Sequence, residues 1–140
     1  MKNTVSILIA DDDEEDRMLA KEAFDECRLL NDIDYVSDGV ELLEFLKDPE
    51  NSKPGLILLD LNMPKKDGRE ALKEIKDDPE LKHIPIIVLT TSKAEEDIIK
   101  TYDLGVNSFI SKPVTFDSMV NIMKAIQKYW FEIVELPISK

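Results

Sequence analysis

The sequence predicts an α/β domain with a parallel five-stranded sheet and helices on both faces. Three observations predict it. Strand-like and helix-like runs alternate five times along 140 residues. The runs Val5-Ser6-Ile7-Leu8-Ile9-Ala10, Leu56-Ile57-Leu58-Leu59 and Ile86-Ile87-Val88-Leu89 are near-continuously apolar, the mark of strands buried on both faces. Acids, a hydroxyl and an ammonium then stand just past four strand ends: Asp11 and Asp12, Asp60, Thr90 and Lys112. The expected architecture is (βα)5, doubly wound, with strand order 2-1-3-4-5 and right-handed crossovers. Its switch point falls between strands 1 and 3, the strands that end in the acids.

Each element has its own warrant. Residues 14–29 read as the first helix, with Met18, Leu19, Ala23, Phe24 and Cys27 near one face. Residues 33–37 alternate and read as a half-exposed edge strand. Asp38-Gly39 turns into a second helix carrying Val40, Leu42, Leu43, Phe45 and Leu46. The polar, proline-bounded stretch 47–54 is a loop. The third strand ends at Asp60, and a loop over residues 61–67 leads through Gly68 to a helix with Ala71, Leu72 and Ile75 inward. Asp78-Pro79 ends or interrupts that helix. A fourth helix over residues 94–104 ends at Gly105. The fifth strand covers residues 106–111, with Asn107 breaking its apolar pattern. Thr115 can cap a fifth helix in which Phe116, Met119, Val120, Met123 and Ile126 fall at helical spacing. Residues 1–130 form one domain, followed by an apolar extension over residues 131–140.

Composition narrows the function. The net charge is −12, from 18 basic and 30 acidic residues. Phosphate backbones and anionic lipid repel such a surface, which argues against nucleic acid or membrane as a direct partner. Cys27 is the single cysteine, so no internal disulfide can form; with no ligand-spaced neighbour it reads as a small buried or half-buried side chain. No stretch approaches the ~20 apolar residues of a spanning helix, and the amino terminus lacks the pattern of a signal peptide. A cytoplasmic protein is expected.

The strand-end acids carry the chemistry. Carboxylates brought together repel, by roughly 1–4 kcal/mol per pair at about 4 Å. Protonation or a divalent cation relieves this. A small set of hard oxygen ligands favours Mg²⁺, or Mn²⁺, with waters retained. The cation and Lys112 would neutralise the oxygens of a phosphoryl group in transfer. Asp60 stands alone and is the better nucleophile; Thr90 can donate to the arriving group.

These residues also match a family. Ile9-Ala10-Asp11-Asp12-Asp13, Leu58-Leu59-Asp60-Leu61-Asn62-Met63-Pro64 with Asp67-Gly68, Leu89-Thr90-Thr91-Ser92 and Ile110-Ser111-Lys112-Pro113 occur in order at strand ends. Over residues 4–130 the chain resembles the receiver domain of two-component response regulators, a flavodoxin-like fold. Asp78-Pro79-Glu80-Leu81-Lys82-His83-Ile84-Pro85, Leu104-Gly105-Val106-Asn107-Ser108 and Tyr129-Trp130 make it similar to the stand-alone receivers that serve phytochrome-type sensor kinases. The resemblance implies that Asp60 accepts a phosphoryl group from a kinase phosphohistidine. It implies that Asp11, Asp12 and Asp60 hold Mg²⁺ with the backbone carbonyl of Asn62. Thr90 and Lys112 would contact the phosphate, and the Lys112-Pro113 bond would be cis. Phe109 takes the place of an aromatic switch residue, often tyrosine in the family, so no hydroxyl-dependent switch is available. Asn62 and Ser92 would border the path of attacking water. Asp13 either surrounds the metal ligands or faces solvent.

Other readings compete for the same residues. Asp12, Asp13, Glu14 and Glu15 suit any helix start. Asp11, Asp13, Glu15 and Glu22 fit acidic positions of a calcium loop, but Asp16 stands where that loop needs glycine. His83 follows a polar loop and reads as a surface residue. A pure interaction module and a metal-dependent phosphatase are the rival functions. Within the receiver reading, phosphorylation adds charge at Asp60, Thr90 moves toward it, and Phe109 enters the vacated space. The face of the fourth helix, fifth strand and fifth helix would then signal to another protein, or the phosphate would be relayed onward. Tyr129, Trp130, Phe131, Ile133, Val134, Leu136 and Ile138 mark a homodimer interface with that face, or a tail folded back on its own core.

Overall fold

The computed structural model describes residues 6–26, 32–91, 94–113 and 115–128. Its strands are β1 (Ile7–Ala10), β2 (Ile33–Val36), β3 (Leu56–Leu59), β4 (Ile86–Thr90) and β5 (Ser108–Ser111). Its helices are α1 (Glu14–Glu26), α2 (Gly39–Lys47), α3 (Gly68–Asp77), α4 (Glu95–Leu104) and α5 (Phe116–Ile126). The strands form one sheet in the order β2-β1-β3-β4-β5, every pairing parallel. The expected class, alternation and strand order all hold.

The apolar runs show why both faces are covered. Side chains alternate across a strand. Leu8, Ala10, Ile57, Leu59, Ile86 and Val88 therefore meet Leu42, Leu43 and Leu46 of α2 and Ala71, Leu72 and Ile75 of α3. The intervening residues Ile7, Ile9, Leu56, Leu58, Ile87 and Leu89 meet Ala20, Ala23 and Phe24 of α1 and the α5 stripe Met119, Val120, Met123 and Ile126. Two cores thus clamp β1, β3 and β4 in register. They hold Ala10, Leu59 and Thr90, the residues that precede or form the site, at one edge of the sheet.

Short-range chemistry starts and stops the helices. Asp38 caps α2 by accepting from the Glu41 N–H at 2.8 Å, while the Glu41 carboxylate accepts from the Ser37 N–H at 2.7 Å. Asp67 caps α3 and Thr115 caps α5 in the same way. Gly105 closes α4 at φ 102°, a left-handed conformation suited to glycine.

Several expectations need correction. Met18 is 58% exposed, because it lies two residues, or about 200°, from Ala20 on the inward stripe of α1. Val40 and Phe116 are exposed as well; the buried large apolar side chains of their helices begin with Leu42 and Met119. The fifth strand begins at Ser108, not at residue 106. Before it, Asn107 donates its N–H to the Ile86 carbonyl at 2.8 Å and accepts from the Ile86 N–H through Oδ1 at 3.0 Å. That exchange explains the polar break in the strand-like run. No cis peptide bond occurs among the described residues, so Lys112-Pro113 is trans, the isomer prolyl bonds prefer unless packing overrides it. Cys27, Ser92 and the aromatic tail from Tyr129 onward lie outside the described residues.

Candidate functional site

Four strand ends build one pocket. Asp11 continues the β1 ladder, donating its N–H to the Val36 carbonyl at 3.0 Å. Its side chain is buried, and Oδ1 accepts from the Asp13 N–H at 2.9 Å. Asp60 follows β3 and donates its N–H to the Ala10 carbonyl at 3.0 Å, which sets the two acids side by side. Gly68 fixes this arrangement from below. A Cβ there would lie 2.3 Å from the Asp60 carbonyl oxygen, so only glycine lets α3 begin against the β3 end.

The Asp60 carboxylate is 5% exposed as a residue and fully engaged. Oδ1 accepts from the Thr90 hydroxyl at 2.8 Å and from the Asn62 N–H at 3.1 Å. Oδ2 faces the Lys112 ammonium at 3.1 Å. Lys112 reaches the site because its N–H bonds the Thr90 carbonyl at 2.8 Å, holding the chain after β5 beside β4. Its side chain is 6% exposed and also meets Asp11 at 2.7 Å and Asp16 at 2.8 Å.

Burial dominates the electrostatics of Asp11. It pushes that carboxyl up to about 6, although hydrogen bonds from Lys112 and the Asp13 N–H pull the other way. Burial also works against the charge of Lys112. Its hydrogen bonds to Asp11 and Asp16 and the negative charge around it win, and hold it above the usual lysine range. The ammonium is therefore a fixed cation in an anionic pocket.

Asp11, Asp12 and Asp60 each offer a carboxylate oxygen, all within 4.8 Å of one another. This all-oxygen set suits a hard divalent cation. Asp12 is exposed, so water can complete a coordination shell from the solvent side. Asp13 takes no part in the cluster. Its Oδ1 accepts from the N–H groups of Glu15 at 2.9 Å and Asp16 at 3.3 Å, which starts α1.

The remaining candidates are spread around the rim. Asn62 is exposed, with its Oδ1 3.5 Å from Arg69 Nη2. Thr91 is exposed and Pro113 half-buried. Phe109 is half-buried against the core below α4, and its N–H donates to the Tyr102 hydroxyl at 3.1 Å. His83 is exposed, as expected. Two neighbours escaped sequence reasoning. Asp16 binds Lys112, and Arg17 donates through Nη1 to the Asp11 carbonyl at 2.8 Å and the Ser37 hydroxyl at 2.9 Å. A signal for both existed: they stand four and three residues before buried Ala20, on the inward side of α1's first turn.

Parallel strands that end in this cluster define a receiver domain. The family described as the response regulator receiver domain matches residues 7–124, and the chain belongs to it. Among curated proteins, the response regulator Rcp1 of Synechocystis sp. is 42% identical over 135 residues, covering 94% of this chain and 92% of Rcp1. The structure of the Mn²⁺-bound form of Rcp1 superposes with a TM-score of 0.88 at 39% identity, over 95% of this chain and 99% of that one. The phosphorylated cyanobacterial phytochrome response regulator RcpA gives a TM-score of 0.90 at 41% identity, over 96% and 99% of the two chains.

Proposed function

We propose that this response regulator takes a phosphoryl group onto Asp60 from the phosphohistidine of a sensor histidine kinase. The observation that carries the reading is the Asp60 carboxylate itself. It is buried, it meets a hydroxyl on one oxygen and an ammonium on the other, and it lies within metal-sharing distance of Asp11 and Asp12. One carboxylate oxygen attacks phosphorus, the phosphorus–nitrogen bond breaks with its electron pair going to the ring, and the ring, protonated by solvent at its other nitrogen, leaves as neutral imidazole. The product is a mixed anhydride, which water later hydrolyses.

Asp11, Asp12 and Asp60, with the Asn62 carbonyl, would hold Mg²⁺, and Mn²⁺ as a substitute. When bound, the cation neutralises phosphoryl oxygens as charge redistributes during transfer. Lys112 supplies a second positive charge at the same oxygens. Thr90, now donating to Asp60 Oδ1, would turn that donor to the phosphoryl group. Phe109 would then move inward, and the α4-β5-α5 face would change its presentation to a protein partner or a relay acceptor. Asn62 would border the path of attacking water, and Pro113 would shape the turn after Lys112. The description of RcpA as a cyanobacterial phytochrome response regulator supports a phytochrome-type kinase as donor, and the cytoplasm is the compartment in which we place the exchange. The α4-β5-α5 face and the apolar residues 131–140 would pair two copies of the receiver domain, residues 1–130.

Acetyl phosphate with Mg²⁺ tests the site. We expect a labile adduct on Asp60 that is abolished in Asp60→Asn and forms at least tenfold more slowly in Lys112→Ala, roughly the cost of one charge-assisted contact. Phos-affinity electrophoresis and acid–base lability read it out. Labelling of Asp60→Asn, or steady turnover of unrelated phosphoesters, overturns the reading.

A further inference from the structure

Lys112 spends all three of its N–H donors on carboxylates, at 2.7 Å to Asp11, 2.8 Å to Asp16 and 3.1 Å to Asp60. Two of the three belong to the group able to share a metal ion; Asp16 does not. A cation held by Asp11 and Asp60 draws on the negative charge that faces Lys112 and repels the ammonium. Conversion of Asp60 to an acyl phosphate removes its charge from the carboxyl oxygens altogether. The flexible four-carbon stem of a lysine does not place its charge unaided. Something outside the reacting set has to keep the ammonium in place.

We propose that Asp16, in the first turn of α1, is the positioning residue that anchors Lys112 through metal loading and phosphoryl transfer. Rigidity of the anchor comes from its surroundings. The Asp16 N–H bonds the capping carboxylate of Asp13 at 3.3 Å. The next residue, Arg17, ties the same turn to the Asp11 carbonyl and to Ser37. The Asp16 side chain is 32% exposed, so it reaches the nearly buried ammonium from the solvent side of the pocket. In this arrangement Lys112 exchanges its Asp60 partner for a phosphoryl oxygen and pivots on Asp16. The pair also joins the start of α1 to the end of β5, the first and last strand ends of the pocket. The catalytic consequence rests on the reading of Asp60 as acceptor; the anchoring itself does not.

Two measurements separate these. In Mg²⁺-loaded wild-type protein, the ¹⁵N-labelled Lys112 ammonium gives an exchange-protected proton signal that disappears in Asp16→Asn and returns in part in Asp16→Glu. In acetyl phosphate labelling at saturating Mg²⁺, Asp16→Asn slows adduct formation roughly tenfold, within the range that misplacing one positioned group costs. Its Mg²⁺ dissociation constant moves by less than about threefold, because Asp16 is not among the carboxylates placed to share the ion. Asp16→Asn combined with Lys112→Ala is no slower than Lys112→Ala alone, because Asp16 acts through Lys112. An ammonium signal unchanged in Asp16→Asn, a wild-type labelling rate in that variant, or additive losses in the double variant overturns the proposal. Unlabelled wild-type protein with an Asp16-dependent ammonium signal overturns the functional reading and leaves the anchor standing.

Discussion

At the scale of single residues, the site is held together by one cation against several anions. The raised Asp11 carboxyl gives this a measurable sign. A free aspartate titrates near 3.8 and Asp11 in the fold near 6, so the folded chain binds that proton more tightly than the unfolded chain. Stability from Asp11 is therefore present at low pH and is lost as pH rises from about 4 to about 6. The loss is about 3 kcal/mol. Asparagine at this position removes the titration. We expect the melting temperature of metal-free Asp11→Asn, taken at pH 7.5 relative to pH 5, to be higher than the same difference in wild type. Thermal melts in chelator measure it, and equal differences in the two proteins would refute the assignment. Mg²⁺ should raise the wild-type melting temperature at pH 7.5 and lose that effect below pH 6, since protonated Asp11 is a poor ligand.

At the scale of elements, the junction between β3 and α3 sets the acid cluster. Gly68 brings the first turn of α3 onto the Asp60 and Leu61 backbone and donates its N–H to the Leu61 carbonyl at 2.9 Å. A methyl group at this point has backbone, not a movable side chain, in its path. Gly68→Ala should cost about 1–3 kcal/mol in urea unfolding, the usual range for overpacking a dense site. It should also slow Asp60 labelling, because the β3 end must shift to admit the methyl. Wild-type stability would show that α3 can slide without cost. The start of α3 is tied to α4 as well. Arg69 grips Asp97 with Nε and Nη2, both at 2.7 Å. This bidentate pair bridges the helix beside the acids and the helix of the proposed signalling face.

At the scale of the whole molecule, the net charge of −12 opposes self-association, while α4 and α5 leave Ile99, Tyr102 and Phe116 exposed. Screening and phosphorylation should therefore act on the same equilibrium. Sedimentation velocity at several concentrations, in 0.15 M salt and with beryllofluoride and Mg²⁺, should show a dimer that grows with concentration and with the phosphoryl mimic. A monomer throughout, at high micromolar concentration, removes the dimer from the proposal. No helix among the described residues is long and apolar enough to cross a membrane.

The sequence by itself determined the alternation of elements, the parallel sheet and its strand order. The alternation and the parallel sheet follow from local signals: unbroken apolar runs, helical spacing, Asp38-Gly39 and Thr115 at helix starts, Gly105 at a helix end; the strand order follows from the doubly wound class these elements define. It also marked the residues that meet at the strand ends, since neighbouring parallel strands bring their carboxyl ends together whatever the loops do. Tertiary structure alone decided how the charges pair. Lys112 has several acids within a side chain's reach, and only packing of α1 against the sheet selects Asp16 as a partner 96 positions away. Packing likewise turned Asn107 into a brace for Ile86, 21 positions away. Each of these depends on where a side chain points once distant elements are in register, and no local pattern encodes that.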